Sequence, residues 1–182
     1  MSTAVGTRSA AVRAARGRRP GRRCTAAWLL LPLALLVGCR LLVAEPFKIP
    51  SASMAPTLEP GDRVIADKLA YRFGAPQPGE LAVLEAPDGR LLAKRIVAVG
   101  GQRVEIRDGV LFIDRVPRRE PYVDHSRVDG FFFGPARVPE GSVFVLGDNR
   151  GESEDSRDFG AVPREHLIGR VVLRIPPLRR LL

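Results

Sequence analysis

Cysteine is nearly absent from this 182-residue chain, and its placement limits the chemistry that the protein can perform. The two cysteines, Cys24 and Cys39, both lie within the first 44 residues. The remainder of the chain therefore holds no disulfide bond and no thiol nucleophile. Lysine is almost as scarce, with only three residues, because nearly all of the basic side chains are arginine.

Acidic residues are missing from the first 44 positions, and this absence accounts for the charge of the whole chain. The formal net charge is +9, and removing the eight arginines of this part from the 29 basic residues leaves 21 against 20 acidic residues. The eight are Arg8, Arg13, Arg16, Arg18, Arg19, Arg22, Arg23 and Arg40. Because the rest of the chain is close to neutral, nucleic-acid binding has no support from charge.

A long apolar run follows the basic residues, and between 26 and 44 only Arg40 is charged. A helix over this run would be about 28 Å long, close to the roughly 30 Å hydrocarbon core of a bilayer. Short arginine-rich segments stay in the cytoplasm. We therefore expect a basic cytoplasmic tail at 1–25, a single-pass anchor in the plasma membrane at 26–44, and an extracytoplasmic domain at 45–182.

Two other interpretations of the apolar run remain open. A basic start and an apolar middle also fit a cleaved secretory signal, although no good small-x-small cleavage site lies near Ala44. The residues LVGC at 36–39 resemble the lipobox of bacterial lipoproteins, which would make Cys39 a lipidated N-terminus. With a lipid or with a helical anchor, the product stays on the membrane.

Beyond residue 44, apolar residues recur with a period near two, which is typical of strands. Asp108 and Gly109 lie between two such runs and predict a hairpin over 103–115. No stretch of ten residues has a helical pattern, although VPREHL favours one helical turn. We therefore expect a mainly β protein, with one transmembrane helix followed by an antiparallel β-sheet domain. Strands are predicted at 63–71, 80–86, 90–99, 142–149 and 167–175.

Three consecutive phenylalanines, Phe131 to Phe133, stand out in a chain that is only 6% aromatic. The simpler interpretation is a cluster in the core or across neighbouring strands. The functional alternative is an apolar rim that touches the bilayer beside a membrane-tethered site. The sequence leaves both open.

Without a thiol, a nucleophile in the exported part would be a hydroxyl group activated by histidine or by lysine. His125 and His166 both lie in charged stretches, which are commoner for exposed side chains. A lysine with its usual pKa near 10.4 is neutral in roughly one molecule in 2,500 at pH 7, so a lysine base must be desolvated.

Lys94 is the lysine whose surroundings suggest burial. Lys48 lies in a short link and Lys68 where a strand gives way to a turn, whereas Lys94 lies within the apolar run LLAKRIVAV. If Arg95 faces water, Lys94 faces the interior, since successive strand residues alternate. A lysine at a sheet edge or in a bulge is the alternative.

Four motifs follow the apolar run in a fixed order, namely SASMAPTLEPGD, GDRVIADK, AKRIVAVGG and GDNRGESEDSRDFG. In this order behind a membrane segment, over roughly residues 40–172, they resemble bacterial type I signal peptidases. The resemblance implies a membrane-bound serine endopeptidase with a Ser-Lys dyad that removes signal peptides from exported preproteins. It further implies cleavage after small residues, typically Ala-x-Ala, through an acyl-enzyme intermediate, with no cofactor and no metal.

The resemblance also implies a role for individual residues. Ser53 would be the nucleophile and Lys94 its general base, while the Ser51 hydroxyl would help the Ser53 N–H to bind the oxyanion. A serine that orients the lysine and a supporting ion pair would be Ser153, Asp155 and Arg157. The apolar walls of the substrate pockets would be Ile49, Met54, Leu58 and Ala93.

The expected partners follow from the same resemblance and from the tether. Ser53 lies nine residues beyond Ala44, so even an extended chain keeps it within about 30 Å of the bilayer. A nucleophile at that distance suits a scissile bond just outside a membrane-inserted segment. We expect signal peptides of preproteins and membrane lipid as partners, with the secretion translocon nearby.

Other functions remain open at this stage. A related Ser-Lys peptidase with a narrower client, such as a conjugation-pilus processing protease, would share these motifs. Self-cleaving transcriptional repressors share the dyad chemistry but not the membrane segment. A catalytically inactive, membrane-anchored β module that binds exported proteins is the alternative from a different class.

Two further expectations concern the last motif. The spacing between Lys94 and Gly147 is short, so the large second domain inserted in some members of the family should be absent. Without the resemblance, GDNRGESEDSR would be interpreted as a solvated charged loop. Calcium binding there is disfavoured because Arg150 occupies the third position, where a calcium loop needs an oxygen ligand.

Overall fold

The computed structural model describes Pro32, Gly38 and residues 43–125, 128 and 130–177. The described residues from Gly38 onward form one compact unit. The predicted tail, most of the predicted anchor and the alternative lipidation site at Cys39 lie outside the described residues. In the part that is described, no helix is long and apolar enough to cross a membrane.

Two antiparallel sheets make up the described fold, so the prediction of a mainly β protein is confirmed. The larger sheet has the strand order β1-β2-β11-β3-β4-β9-β10 and the smaller one β7-β6-β5-β8. The strands are β1 (Ala44–Lys48), β2 (Arg63–Asp67), β3 (Leu81–Glu85), β4 (Leu91–Val99), β5 (Arg103–Arg107), β6 (Val110–Ile113), β7 (Val116–Pro117), β8 (Phe133–Arg137), β9 (Ser142–Leu146), β10 (Val162–Pro163) and β11 (Leu167–Ile175).

The hairpin predicted at residues 103–115 is present. β5 and β6 pair antiparallel, and the turn residues Asp108 and Gly109 have φ values of 49° and 75°. Positive φ at both central residues matches the twist of the flanking strands, and it favours Asp followed by Gly. The predicted helical turn in VPREHL is also present, as the 3-10 helix Arg164–His166.

The prediction that a strand runs to residue 71 is wrong, because β2 ends at Asp67. The Asp67 carboxylate accepts the Leu69 N–H at 2.9 Å, which turns the chain. The short helix α1 (Ala70–Phe73) follows. A further short α-helix, α2 (Ser156–Phe159), is capped by Asp155 in a capping box, in which the Asp155 and Asp158 side chains each accept a backbone N–H.

The core beneath residues 49–58 fixes the chain where the SASM motif lies. Met54 and Leu58 are fully buried, and they pack with Val64, Ala66 and Val83 of the larger sheet. Burial of each large apolar side chain contributes about 2 kcal/mol. Ser53 therefore sits on a turn whose next residue is held in the core.

A second core cluster joins the two sheets. Val104, Ile106 and Leu111 of the smaller sheet pack with Phe144 and Leu146 of the larger one. Phe133 joins this cluster, with its ring centroid 5.4 Å from that of Phe144. The core interpretation of the three phenylalanines thus holds for Phe133 alone, because Phe131 and Phe132 are exposed.

Candidate active site

Ser53 lies on the turn after β1, and a neighbouring loop holds its backbone in place. The Asn149 N–H donates to the Ser53 carbonyl at 3.1 Å, and the Asn149 side-chain amide donates to the Ala52 carbonyl at 3.2 Å. The Ser51 hydroxyl donates to Ser53 Oγ at 3.3 Å. Since Ser53 Oγ accepts in that contact, its own proton remains available to a base.

Lys94 lies in β4 opposite Ala82 of β3, and its side chain is buried, with the residue only 2% exposed. Burial lowers the pKa of Lys94 from 10.5 to about 8, against the opposing effect of Asp155 and with a contribution from Arg157. At that pKa about one lysine in ten is neutral at pH 7. The described side chain can therefore act as a base near neutral pH.

Ser153 sets the orientation of the Lys94 amine. Lys94 Nζ donates to Ser153 Oγ at 2.9 Å, and Ser153 Oγ donates its one proton to Asp155 Oδ2 at 2.8 Å. Because the hydroxyl proton is already committed to Asp155, Ser153 can only accept from Lys94. In the neutral amine, the lone pair of Nζ is then directed away from Ser153.

Asp155 is fully buried and is held by donors from three directions. Arg157 Nε donates to one carboxylate oxygen at 2.8 Å and Arg157 Nη2 to the other at 3.0 Å. The Gly147 N–H donates to the same carboxylate at 2.9 Å. The carboxylate that accepts the Ser153 hydrogen bond is therefore firmly placed.

Gly147, the residue after β9, lies between the two serines. A Cβ added there would lie 2.1 Å from Ser153 Oγ and 2.5 Å from the Ser53 carbonyl oxygen. The absence of a side chain thus lets the Ser53 turn approach the serine that contacts Lys94. Among the described residues no hydrogen bond joins Ser53 directly to Lys94, and such contacts are often long before substrate binds.

An apolar groove runs beside Ser53, and three of the four predicted pocket residues line it. Ile49, Met54 and Ala93 are wall residues, together with Ser51 and Ser53. Leu58, the fourth, is buried in the core cluster below and does not line the groove.

Arg95 does not meet the condition under which strand alternation would turn Lys94 inward, because it does not face water. Its guanidinium donates to both carboxylate oxygens of Asp148, at 2.8 and 2.7 Å. The guanidinium also lies 3.8 Å from the centroid of the Tyr122 ring. Strand alternation cannot reveal this arrangement, because the covering ring comes from a distant loop.

A second buried ion pair, Glu120 with Arg150, was also missed. Glu120 accepts from Arg150 Nη2 and from the Tyr122 hydroxyl, and Arg150 Nε donates to the Gly147 carbonyl at 3.1 Å. The Arg150 side chain therefore holds the Gly147 carbonyl, while Asp155 holds the Gly147 N–H. The position of Arg150 in the GDNR motif indicated that this residue matters, but the sequence does not identify Glu120 as its partner.

The remaining candidates lie apart from this arrangement. His125 and His166 are both exposed. Within the described residues, no group of three or more His, Cys, Asp or Glu side chains could hold a metal ion. The structure thus brings together Ser51, Ser53, Lys94, Ser153, Asp155 and Arg157.

Comparison with known proteins gives consistent matches. The family described as "Signal peptidase, peptidase S26" matches residues 22–176. A signal peptidase I from Leptolyngbya laminosa is 38% identical over 160 residues, which cover 83% of this chain and 78% of that protein. A signal peptidase I from Mycobacterium tuberculosis is 34% identical over 224 residues, which cover 88% of this chain and 76% of that protein. Thylakoidal processing peptidase 1 from Arabidopsis thaliana is 41% identical over 150 residues, which cover 76% of this chain and 44% of that protein.

A crystal structure of a signal peptidase I from Enterococcus faecalis V583 was also matched. It aligns with 53% of this chain and 97% of that chain, at 34% identity and a TM-score of 0.48.

Proposed function

Because this chain belongs to the peptidase S26 family and is a type I signal peptidase, a hydrolase that removes signal peptides from preproteins, we propose that Ser53 is its nucleophile and Lys94 its general base. The observation that carries the proposal is the buried Lys94 amine, whose only described hydrogen bond is to Ser153. Burial supplies the neutral amine that a lysine base requires.

In the acylation step, neutral Lys94 takes the proton of the Ser53 hydroxyl as Oγ attacks the scissile carbonyl. The oxyanion that forms would be bound by the Ser53 N–H and the Ser51 hydroxyl. Each such donor is typically worth about 3 to 4 kcal/mol of transition-state stabilisation. The protonated Lys94 then gives its proton to the leaving amine, and the mature protein departs.

Deacylation follows the same chemical steps, with water as the nucleophile in place of Ser53. Lys94 takes a proton from the water as it attacks the acyl-enzyme and returns that proton to Ser53 Oγ as the ester bond breaks, and the signal peptide leaves with a free carboxylate. Ser153 would keep the amine in position through both steps. The ion pair of Asp155 and Arg157 would keep the Ser153 proton directed away from Lys94.

We further propose that the groove beside Ser53 binds the signal peptide as an extended strand. Its walls at Ile49, Met54 and Ala93 are apolar and its volume is only about 50 Å³, which favours small side chains such as those of Ala-x-Ala sites. Leu58 would act from below, by supporting Met54 in the core.

The proposed location is the plasma membrane. Residues 26–44 would cross it once, with the basic tail in the cytoplasm and the catalytic domain outside. Strand β1 begins at Ala44, the last residue of the proposed anchor, so the sheet would start directly at the outer surface of the membrane. Membrane lipid and the secretion translocon would then be neighbours of the site.

Cleavage of a purified preprotein by the full-length chain in detergent tests this function. We expect one cut, with a new N-terminus directly after the Ala-x-Ala site, and no cut when the final Ala is replaced by Trp. A binding module would retain the preprotein without cutting it. Cleavage that ignores the final residue would contradict the proposed groove.

A further inference from the structure

Phe131 makes a contact that the proposed mechanism does not use. Its ring centroid lies 4.7 Å from the central guanidinium carbon of Arg157. Arg157 is the outermost group in a series of contacts that passes through Asp155 and Ser153 to Lys94. The aromatic ring therefore covers the end of the series that orients the base.

The covered guanidinium is short of other partners on one side. The Arg157 side chain is only 6% exposed. Its Nη2 donates to the Arg150 and Ser153 carbonyls and to Asp155, whereas Nη1 has no hydrogen-bond partner within the described residues. A cation that lacks a hydrogen-bond partner and is withheld from water gains from the negative face of an aromatic ring.

The smaller sheet fixes the position of Phe131. The Gly109 N–H donates to the Phe131 carbonyl at 3.0 Å, and the Gly130 N–H donates to the Asp108 carboxylate at 2.7 Å. Asp108 and Gly109, which make these two hydrogen bonds, form the turn of the β5–β6 hairpin. The ring is therefore placed over Arg157 by a rigid turn.

We propose that Phe131 is a positioning residue for the lysine base. Its ring holds Arg157 against Asp155, Asp155 keeps accepting the hydrogen bond of the Ser153 hydroxyl, and the Lys94 amine is left free to face Ser53. This inference rests on the proposed function. Phe131 would act only through Arg157, since it does not line the groove beside Ser53.

The electrostatic consequence can be measured. After burial, the charged groups that act on the pKa of Lys94 are Asp155, which raises it, Arg157, which lowers it, and Glu154 and Asp158, which raise it. Loss of the ring admits water to Arg157 and screens its charge, while Asp155 stays buried. The pKa of Lys94 then rises, and a smaller fraction of the base is neutral at pH 7.

The chain offers a matched control in the next residue. Phe132 is 69% exposed, against 37% for Phe131, and no ring contact joins Phe132 to Arg157 among the described residues. Phe132→Ala therefore removes the same side chain from the same segment without uncovering the guanidinium.

Steady-state cleavage of a preprotein by the full-length chain in detergent, measured from pH 6 to 10, tests the inference. We expect Phe131→Ala to lower kcat at pH 7 by about three- to tenfold with KM little changed, the range that loss of a partly exposed cation–π contact allows. The acid limb of the pH profile should move to higher pH. Phe131→Tyr should restore both values, and Phe131→Leu should not.

The inference is overturned if Phe131→Ala matches Phe132→Ala in kcat and in acid limb, or if Phe131→Leu restores activity as fully as Phe131→Tyr. If Phe131→Ala does not fold, the comparison of the Leu and Tyr variants decides. Ser53→Ala separates this from the underlying mechanism. An inactive Ser53→Ala beside an unaffected Phe131→Ala rejects only the role of Phe131, whereas an active Ser53→Ala rejects the proposed function.

Discussion

Lys94 is the largest of the fully buried side chains in the described structure. Its burial explains both its use as a base and the free-energy penalty that it imposes on the fold. The apolar surroundings that make the amine a usable base also oppose its protonation. Activity and stability should therefore both increase with pH as Lys94 loses its proton, activity below the pKa of the folded protein and stability above it.

The pH dependence of cleavage should follow the neutral form of Lys94. Since burial lowers the pKa of Lys94 to about 8, kcat/KM should fall about tenfold per pH unit below that value and level off above it. Rates measured from pH 6 to 10 on one preprotein check this. A profile that is flat between pH 6 and 8 would mean that another group acts as the base.

The stability of the fold should rise between pH 8 and 10.5. In this window the unfolded chain binds a proton at Lys94 that the folded chain does not, so alkali favours the folded state. Below pH 8 both states are protonated and the full penalty, about 3 kcal/mol, is present. Lys94→Met should therefore raise the free energy of unfolding at pH 7 and remove the rise above pH 8.

Chemical unfolding of the wild type and Lys94→Met at pH 7 and pH 10 measures that effect. Lys68→Met is the control, because Lys68 is exposed and pairs with Glu45 at the surface. Equal stabilities for Lys94→Met and the wild type at both pH values would show that the amine is not desolvated.

At the scale of elements, the end of β9 decides whether the two halves of the site meet. Gly147 contacts the Ser53 turn on one side and Ser153 on the other, and its N–H and C=O are held by Asp155 and Arg150. No other residue type fits, since even a methyl group would overlap backbone on the Ser53 side.

Gly147→Ala should therefore abolish most of the activity. The added methyl group must displace Ser53 or Ser153 by about 1 Å, and a misplacement of that size costs about 100-fold in rate. The control is Gly89→Ala, which strains a turn because Gly89 has a φ of 81° but whose added Cβ meets nothing within 4 Å, so that it separates backbone strain from overlap. Single-turnover cleavage by the two variants gives the comparison. A Gly147→Ala enzyme that keeps more than half of the wild-type rate would show that the serines need not approach so closely.

The sequence predicted elements where one physical rule dominates. The alternation of apolar residues predicted strand β11, and both of its ends, Leu167 and Ile175, are as predicted. The pair Asp108-Gly109 correctly predicted the β5–β6 hairpin. β1 and β8 were missed because each contains a proline, which weakens a strand pattern. Both are edge strands, where a missing N–H is tolerated.

The candidate site was predictable only in part for a similar reason. Local alternation pointed to a buried Lys94 only on the condition that Arg95 faces water. Arg95 is instead buried by Asp148 and by Tyr122, two residues far away in sequence. Contacts of that kind depend on the tertiary arrangement of loops, and no local pattern encodes them.

For the whole molecule, the absence of cysteine beyond residue 39 makes the proposed topology testable. In spheroplasts, a membrane-impermeant maleimide should not label the wild type, because Cys24 would be cytoplasmic and Cys39 within the bilayer. Glu140→Cys places a thiol at an exposed position of the catalytic domain and should be labelled. Labelling of the wild type, with no additional labelling of Glu140→Cys, would reverse the orientation.

The pairing of Ser53 with Lys94 is the central claim, and the rate of preprotein cleavage by substituted full-length chains tests it most directly. Ser53→Ala and Lys94→Met should each lower kcat by at least about 1,000-fold, because the members of a nucleophile and base pair act as a unit. Ser142→Ala and Lys68→Met, outside the site, should cut at the wild-type rate. Cleavage by either Ser53→Ala or Lys94→Met at the wild-type rate would contradict the account.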